Sequence, residues 1–370
     1  MEERLARCTM CHDEHPREDL YEFEDQLLCD YCLEDHTVVC AHCGERIWRD
    51  DDAGDADTHL CRSCYDQYYE HCDHCGRVIL EEDAYYLDDD SDAPLCEECH
   101  DLLEEKAELI HGYYYKPDPI FYGKGPRYLG VELEIDEGGE SSDSAREILH
   151  TANRSQDLCY IKHDGSLNDG MEIVTHPMSF DFHMKSMPWA EILSKARDLG
   201  YTSHQARTCG LHVHVSRLAL GTTEEDQDEC IARILYIFEK FWDEFLRFSR
   251  RTQRQVAQWA ARYGMKEKPK EILNHAKKDC EGLRYTCVNL CPENTVEFRI
   301  FRGTLKLNTL LATIQLVNHI CDVALYVTDE EVQSMSWPDF VSGCQEPELI
   351  QYLKERRLYV NEPVVSEEEV

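Results

Sequence analysis

The chain has 370 residues, 42% of them hydrophobic, which is enough for a sizeable core in two or three folding units and excludes a wholly disordered protein. Its 38 Lys and Arg stand against 75 Asp and Glu, a formal charge of −37 at pH 7 that repels phosphate backbones and anionic membranes. Nucleic acid and membrane surfaces are therefore not expected as partners.

The first element in chain order is a cysteine repeat. Twelve of the 20 cysteines form six Cys-x-x-Cys pairs in the first 99 residues: Cys8/Cys11, Cys29/Cys32, Cys40/Cys43, Cys61/Cys64, Cys72/Cys75 and Cys96/Cys99. This is metal-ligand spacing, and it places the chain in a reducing, cytoplasmic setting. No basic amino-terminal region leading into an apolar one is read, which agrees with that expectation. Alternate pairs begin at 8, 40 and 72, a period of 32 residues, and the third unit has three extra residues before Cys96. Each link between the two pairs of a unit ends in a leucine, at Leu28, Leu60 or Leu95.

Soft thiolates fill a tetrahedral zinc shell, so the repeat predicts three closed four-cysteine Zn²⁺ sites. Pairing within each unit uses every cysteine, and a cross-braced arrangement is the alternative. The units are 1–36, 37–68 and 69–111. Each has few apolar residues (Tyr21 and Phe23, Ile47 and Trp48, Ile79 and Tyr85), so metal must supply most of the folding free energy. The repeat resembles zinc ribbon or LIM-type modules, which implies a role in binding a protein partner. Residues 1–110 hold 34 acids and 8 bases, net −26, so most of the negative charge belongs here. The other eight cysteines (159, 209, 230, 280, 287, 291, 321 and 344) are unpaired and read as small core residues.

Residues 101–111 read as helix, 112–126 as a Tyr- and Pro-rich linker, 127–358 as a second domain and 359–370 as an acidic, solvated tail. In that domain YLGVELEI, MEIVTHP, CGLHVHVS and TVEFRIF alternate polar and apolar residues with period two, the pattern of strands with one buried face. Helical periodicity is expected at 144–153, 189–199, 225–263 (whole or broken) and 310–327. The last of these is the most apolar stretch of the chain, but Gln315, Asn318, His319 and Asp322 interrupt it, so it is not read as a membrane span.

Strand alternation puts Glu132 and Glu134 on one face, His212 and His214 on one face, and Glu297 and Arg299 on one face. A further segment, with Asp164 in Lys-His-Asp-Gly-Ser and Glu172 in Met-Glu-Ile-Val-Thr-His-Pro, reads as a turn and strand. If these strands are neighbours, their polar faces assemble Glu132, Glu134, Glu172, Glu297 and His212. Hard oxygens with one imidazole suit Mg²⁺ or Mn²⁺.

Gly-Val-Glu-Leu-Glu, Asp-Gly-Ser with Glu-Ile-Val-Thr-His-Pro, Cys-Gly-Leu-His-Val-His-Val-Ser and Glu-Phe-Arg-Ile-Phe-Arg-Gly-Thr-Leu-Lys, in that order over about residues 127–310, resemble the amidoligase family, relatives of glutamine synthetase and glutamate-cysteine ligase. The resemblance implies an α+β fold, with an antiparallel sheet of the glutamine synthetase-like type and flanking helices, preceded here by the three zinc modules. It implies ATP-dependent ligation of a carboxylate to an amine through an acyl phosphate, with small-molecule or peptide substrates. By motif, Glu134 and Glu172 resemble ligands of one Mg²⁺ (or Mn²⁺), and Glu132, His212 and Glu297 ligands of a second. His214 is expected near the ATP phosphates, Arg299 and Arg302 at the transferring phosphoryl group and Asp164 among the catalytic residues. Arg284, Tyr285 and Asn289 are expected around the substrate.

Two other functions compete with ligation. One is a metal-dependent hydrolase with zinc on His212, His214 and Glu132, which leaves Glu134, Glu172 and Arg299 unexplained. The other is a non-catalytic binding protein that presents a ligase-like sheet beside a recruiting zinc repeat. Cys209 near His212 reads as a core or turn residue and not a nucleophile, and His163, His176 and His204 read as structural.

Overall fold

A computed structural model describes residues 5–87, 92–278 and 285–359, without the side chains of 105–108. Cys280, Arg284 and residues 360–370 of the tail lie outside the described residues. The chain divides into two compact units, Met1–Glu105 and Lys106–Val370.

In the first unit one plan is used three times. The leading Cys-x-x-Cys pair sits in the turn of a short hairpin: Leu5–Arg7 with Glu14–Pro16, Thr37–Val39 with Arg46–Trp48, and Tyr69–His71 with Val78–Leu80. These turns need a left-handed residue after the second cysteine, supplied by His12 (φ 66°), Gly44 (φ 77°) and Gly76 (φ 74°). The second pair opens a helix, at Asp30–His36, Arg62–Tyr68 and Glu97–Leu109. Leu28, Leu60 and Leu95 are buried against the cysteines of their own units. Successive modules are tied by Trp48, whose Nε1 donates to Glu24 Oε2 at 2.6 Å, and by Asp55, whose Oδ2 accepts from the Val78 N–H at 2.7 Å.

The second unit is mixed α/β. Its described strands are β1 (Ile110–His111), β2 (Tyr128–Ile135), β3 (Cys159–Lys162), β4 (Met171–Thr175), β5 (Met178–Ser179), β6 (Gly210–Ser216), β7 (Val288–Asn289) and β8 (Thr295–Arg302). They form one sheet in the order β7-β8-β6-β2-β4-β3-β1, with β5 also on β2. Every pairing is antiparallel except β3 with β1. One face is apolar: Leu129, Val131, Leu133, Ile135, Ile173, Val213, Val215, Val296 and Phe298 are all buried in the main core. The helices of this unit include α1 (Ser142–Asn153), α2 (Phe180–Lys185), α3 (Trp189–Asp198), α4 (Glu224–Lys240), α5 (Trp242–Ser249), α6 (Gln253–Trp259), α7 (Pro269–Lys278) and α8 (Leu307–Tyr326), and the buried residues of α4 and α8 share the core with that face. Phe238 of α4 meets Phe298 of β8 with ring centroids 5.8 Å apart.

By length and composition α8 would cross a membrane, but Ala312, Ile314, Leu316, Val317, Ile320 and Cys321 are fully buried in the core. Its polar residues are bonded inside the unit. Arg127 binds Asn318 and Asp322, and Gln315 binds Glu348 and the Leu349 N–H.

The structure resolves one expectation, between a whole and a broken helix, and departs from another. The 225–263 helix is three helices, because the chain leaves α-geometry at Phe241 (ψ 33°) and enters the left-handed region at Arg250 (φ 59°), and Thr252 then caps a new start with Gln255. The stretch 112–126 is not a free linker. Tyr122 N donates to Pro177 O at 3.0 Å, its carbonyl accepts from Ser179 N at 2.9 Å, and its hydroxyl donates to Asp157 O at 2.8 Å, so the segment is stitched to the second unit.

Candidate active site

Period-two alternation on four neighbouring strands gathers the candidate residues on the sheet face opposite the core. Register sets the pairs: Glu134 opposite Glu172, Glu132 opposite His212, and His214 opposite Glu297. His212 is buried at the centre. Its Nδ1 lies 3.3 Å from Glu132 and 3.5 Å from Glu297, and its Nε2 lies 3.6 Å from Glu134. His214 Nδ1 is hydrogen-bonded to Thr295 Oγ1 at 3.0 Å. Its Nε2 lies 3.2 Å from Glu132 Oε1 but without hydrogen-bond geometry, so this buried nitrogen has no bonded partner.

Arg299 Nη1 donates to Glu297 Oε1, Asn289 Nδ2 donates to the other oxygen of Glu297 at 2.7 Å, and the Tyr285 ring centroid stands 5.8 Å from the Arg299 guanidinium carbon. The Gly210 N–H donates to Glu134, and Lys162 Nζ lies 4.0 Å from Glu172. Asp164 occupies the turn after β3. Asp136 holds that turn by accepting from the N–H groups of Asn168 and Asp169 at 3.1 and 2.8 Å.

Burial opposes ionisation of Glu132, yet the charges of His214 and His212 and the hydrogen bond to His212 hold its carboxyl well below the usual range. Burial opposes protonation of His214 too, but Glu132 and Glu297 raise it. Burial pushes Glu134 up, with Asp164 adding to it against His212, the Gly210 N–H and Arg251. Burial and the charges of Glu132 and Glu134 push Glu172 far up, with only Lys162 opposing. Crowded, buried oxygens with imidazole beside them are the donor set of a hard divalent cation, and such a cation would relieve this repulsion. The residues fit Mg²⁺ or Mn²⁺.

The face thus brings together Glu132, Glu134, Glu172, His212, His214, Glu297 and Arg299, with Asp164 on a neighbouring turn. Arg302 is in a different setting: it lines a cleft with His204, Arg247, Arg250, Arg251 and Arg356. Lys162 and Thr295 are additions that only register reveals.

In the cysteine repeat the four sulfurs of each unit lie within 4.8 Å of one another. Cys11–Cys29, Cys43–Cys61 and Cys75–Cys96 are 3.9, 3.8 and 3.9 Å apart. Zinc–sulfur bonds of about 2.3 Å put tetrahedral ligands roughly 3.8 Å apart, so these sets fit Zn²⁺ and each closes within its own unit. Burial opposes it, but backbone N–H donors bring Cys8, Cys40 and Cys72 down to about 6. Burial and the sulfurs around them push Cys32 and Cys64 upward. Without a cation, four thiolates do not coexist.

A family model described as "Putative amidoligase enzyme" matches residues 132–321, half of the chain, from Glu132 on β2 into α8. The cysteine repeat lies outside the match. Among solved structures, a bifunctional glutathione synthetase from Pasteurella multocida is similar over 62% of this chain and 46% of its own, at 13% identity and a TM-score of 0.35. The chain spans less than half of that protein, and so loose a likeness carries neither fold nor activity across. No curated protein matches the chain.

Proposed function

The chain belongs to the amidoligase family, and on that footing we propose that it is an ATP-dependent carboxylate–amine ligase that forms an amide or isopeptide bond through an acyl phosphate. The observation that carries this reading is the single polar sheet face shared by Glu172, Glu134, Glu132, His212, His214, Glu297 and Arg299. We take the sheet to be of the glutamine synthetase-like type. A carboxylate resists attack by an amine; bound Mg²⁺ and ATP supply the phosphoryl group that activates it and the positive charge that disperses its negative charge.

The chain's own residues do the rest. Glu134 and Glu172 would hold one divalent cation, and Glu132, His212 and Glu297 a second. His214, oriented by Thr295, would face the nucleotide. Arg299, fixed by Glu297, presents a guanidinium to the transferring phosphoryl oxygens, where a pre-positioned cation lowers the barrier without reorganising. Asp164 adds negative charge beside the first cation site. The three closed tetrathiolate sites have no open coordination position, and the repeat exposes Tyr21, Tyr31 and Tyr68, so we assign it to binding a protein partner or substrate.

A screen for phosphate release from Mg²⁺-ATP against amino acids, polyamines and peptides tests the proposal. Release stimulated by one amine with one carboxylate, and lost in Glu297→Gln, is the expected result. If calorimetry with those substrates present detects no ATP binding, the ligase assignment is wrong.

A further inference from the structure

Arg302 and Arg251 point to a second region of the same unit. Together with Arg247, Arg250, Arg356 and His204 they line an open cleft of about 550 Å³ in which Asp243 is the sole acid. The five arginines come from the end of α5, the bend after it, β8 and the segment following the carboxy-terminal helix Pro347–Glu355. Several arginines elsewhere in this acidic chain meet carboxylates: Arg127 with Asp322, Arg233 with Glu229, Arg262 with Glu239 and Arg299 with Glu297. Among the described residues none of the five in the cleft forms an ion pair within 4.0 Å, although the chain carries 75 Asp and Glu.

Two of these side chains are held by backbone. Arg251 donates from Nε and Nη2 to the Phe301 carbonyl at 3.3 and 3.1 Å, and Arg356 donates from Nε and Nη2 to the Arg247 carbonyl at 3.0 and 2.8 Å. Carbonyl oxygens fix the guanidinium planes without neutralising them. Arg302 Nε is buried and has no hydrogen-bond partner. The surroundings carry the mark of the uncancelled charge. Burial, then Arg302, Arg250 and Arg356, pull His204 down to about 4.

The cleft adjoins the carboxylate face. Arg302 is in register with Gly210, and a Cβ at Gly210 would come within 2.5 Å of His212 Nε2 and 2.8 Å of Arg251 Nη2. The glycine lets the guanidinium approach the strand that carries His212. Fixed, planar, unneutralised guanidinium groups are fork donors for the oxygens of carboxylates and phosphates.

We propose that this cleft is an oxyanion subsite that holds a multiply charged carboxylate or phosphate group of the molecule acted on at the adjoining carboxylate face. The proposal deepens the ligase reading, on which it rests only for treating the bound molecule as a substrate. It assigns the substrate to the polyanionic class, and it gives Arg302 a binding role.

The test is calorimetry on the full-length, zinc-loaded protein without ATP, using pyrophosphate and citrate as separate probes. Arg247 and Arg250 are exposed, so Arg247→Gln/Arg250→Gln removes two guanidiniums without opening the core. The expected result is binding of at least one probe that weakens about tenfold or more in the double variant and is unchanged by Glu297→Gln. Preference for pyrophosphate assigns the site to phosphate, and preference for citrate assigns it to carboxylates. Failure of both probes to bind the unmutated protein, or equal binding by the double variant, overturns the proposal. The two readings fail separately. Probe binding without ATP turnover discards the ligase and keeps the subsite, whereas ATP turnover with no arginine-dependent probe binding does the reverse.

Discussion

Glu134 stands directly opposite Glu172 across the antiparallel pair β2–β4, and both side chains are buried. Like charges in directly opposed positions destabilise a sheet, and burial removes the water that would screen them. Lys162 approaches only Glu172, at 4.0 Å, and the Gly210 N–H serves only Glu134. The pair therefore makes sense as half of a cation site.

It follows that Mg²⁺ should stabilise the zinc-loaded protein against heat, by about 2.7 kcal/mol at a hundredfold excess over its Kd. Glu172→Gln should raise the melting temperature in the absence of Mg²⁺ and abolish most of the response to it. Thermal unfolding across a Mg²⁺ titration reads both effects. Equal responses in the two proteins would mean that the pair does not hold the ion.

A second expectation concerns Arg299. Its hydrogen bond to Glu297 fixes the guanidinium in the ground state, so Arg299→Ala should remove stabilisation that is ready before reaction, a loss on the order of 10²–10³ in kcat. Arg299→Lys should recover only part of it, since an ammonium cannot reproduce the fork. The histidines separate ligase from hydrolase. His214→Ala should weaken Mg²⁺-ATP binding more than Mg²⁺ binding and His212→Ala the reverse, whereas a zinc hydrolase would lose metal equally in both. Calorimetry on the two variants decides.

Period-two alternation is a strong local signal, so the carboxylate and histidine strands could be read from sequence, and with them the composition of the polar face. Which carboxylate opposes which could not, because register depends on the partner strand. β1 and β7 have two residues each, too few to show a period, and so the bond from Asn289 to Glu297 is visible only in the fold. The arginine cleft has no sequence signature at all: positions 247, 250, 251, 302 and 356 share no spacing and meet through packing. Prolines and glycines made 112–126 look like a linker, but such residues suit any irregular segment, including one bonded to a sheet edge.

The cysteine clusters give a third prediction. Each set closes within one unit, so Cys64→Ser should remove one of about three zinc ions and leave the sets around Cys8 and Cys72 filled. Loss of two ions would mean that the sites do not bind independently. Elemental analysis of the purified variant distinguishes these, and a total near one zinc in the unmutated chain would rule out three sites.

The last prediction concerns acid stability and rests on His183, away from either metal site. Its ring is buried, Nε2 donates to the Leu129 carbonyl at 3.0 Å, and Nδ1 has no partner. A second proton would have to enter that dry position beside Trp189, and burial accordingly lowers the pKa from 6.5 to about 4, with the Leu129 carbonyl opposing. In the unfolded chain the ring regains a value near 6.5, so between the two the unfolded state binds more protons and acid favours it. The contribution of His183 is therefore complete above the unfolded value, is lost as pH falls towards about 4, and amounts to the order of 3 kcal/mol. His183→Gln keeps a donor for the Leu129 carbonyl and cannot titrate. In urea unfolding, its stability gap to the unmutated protein should narrow by about 2–3 kcal/mol between neutral pH and the acid end of this window. Carboxylates titrating over the same range affect both proteins alike, so the difference isolates the histidine. Parallel stability curves for the two proteins would show that His183 takes up its proton as readily in the fold as out of it.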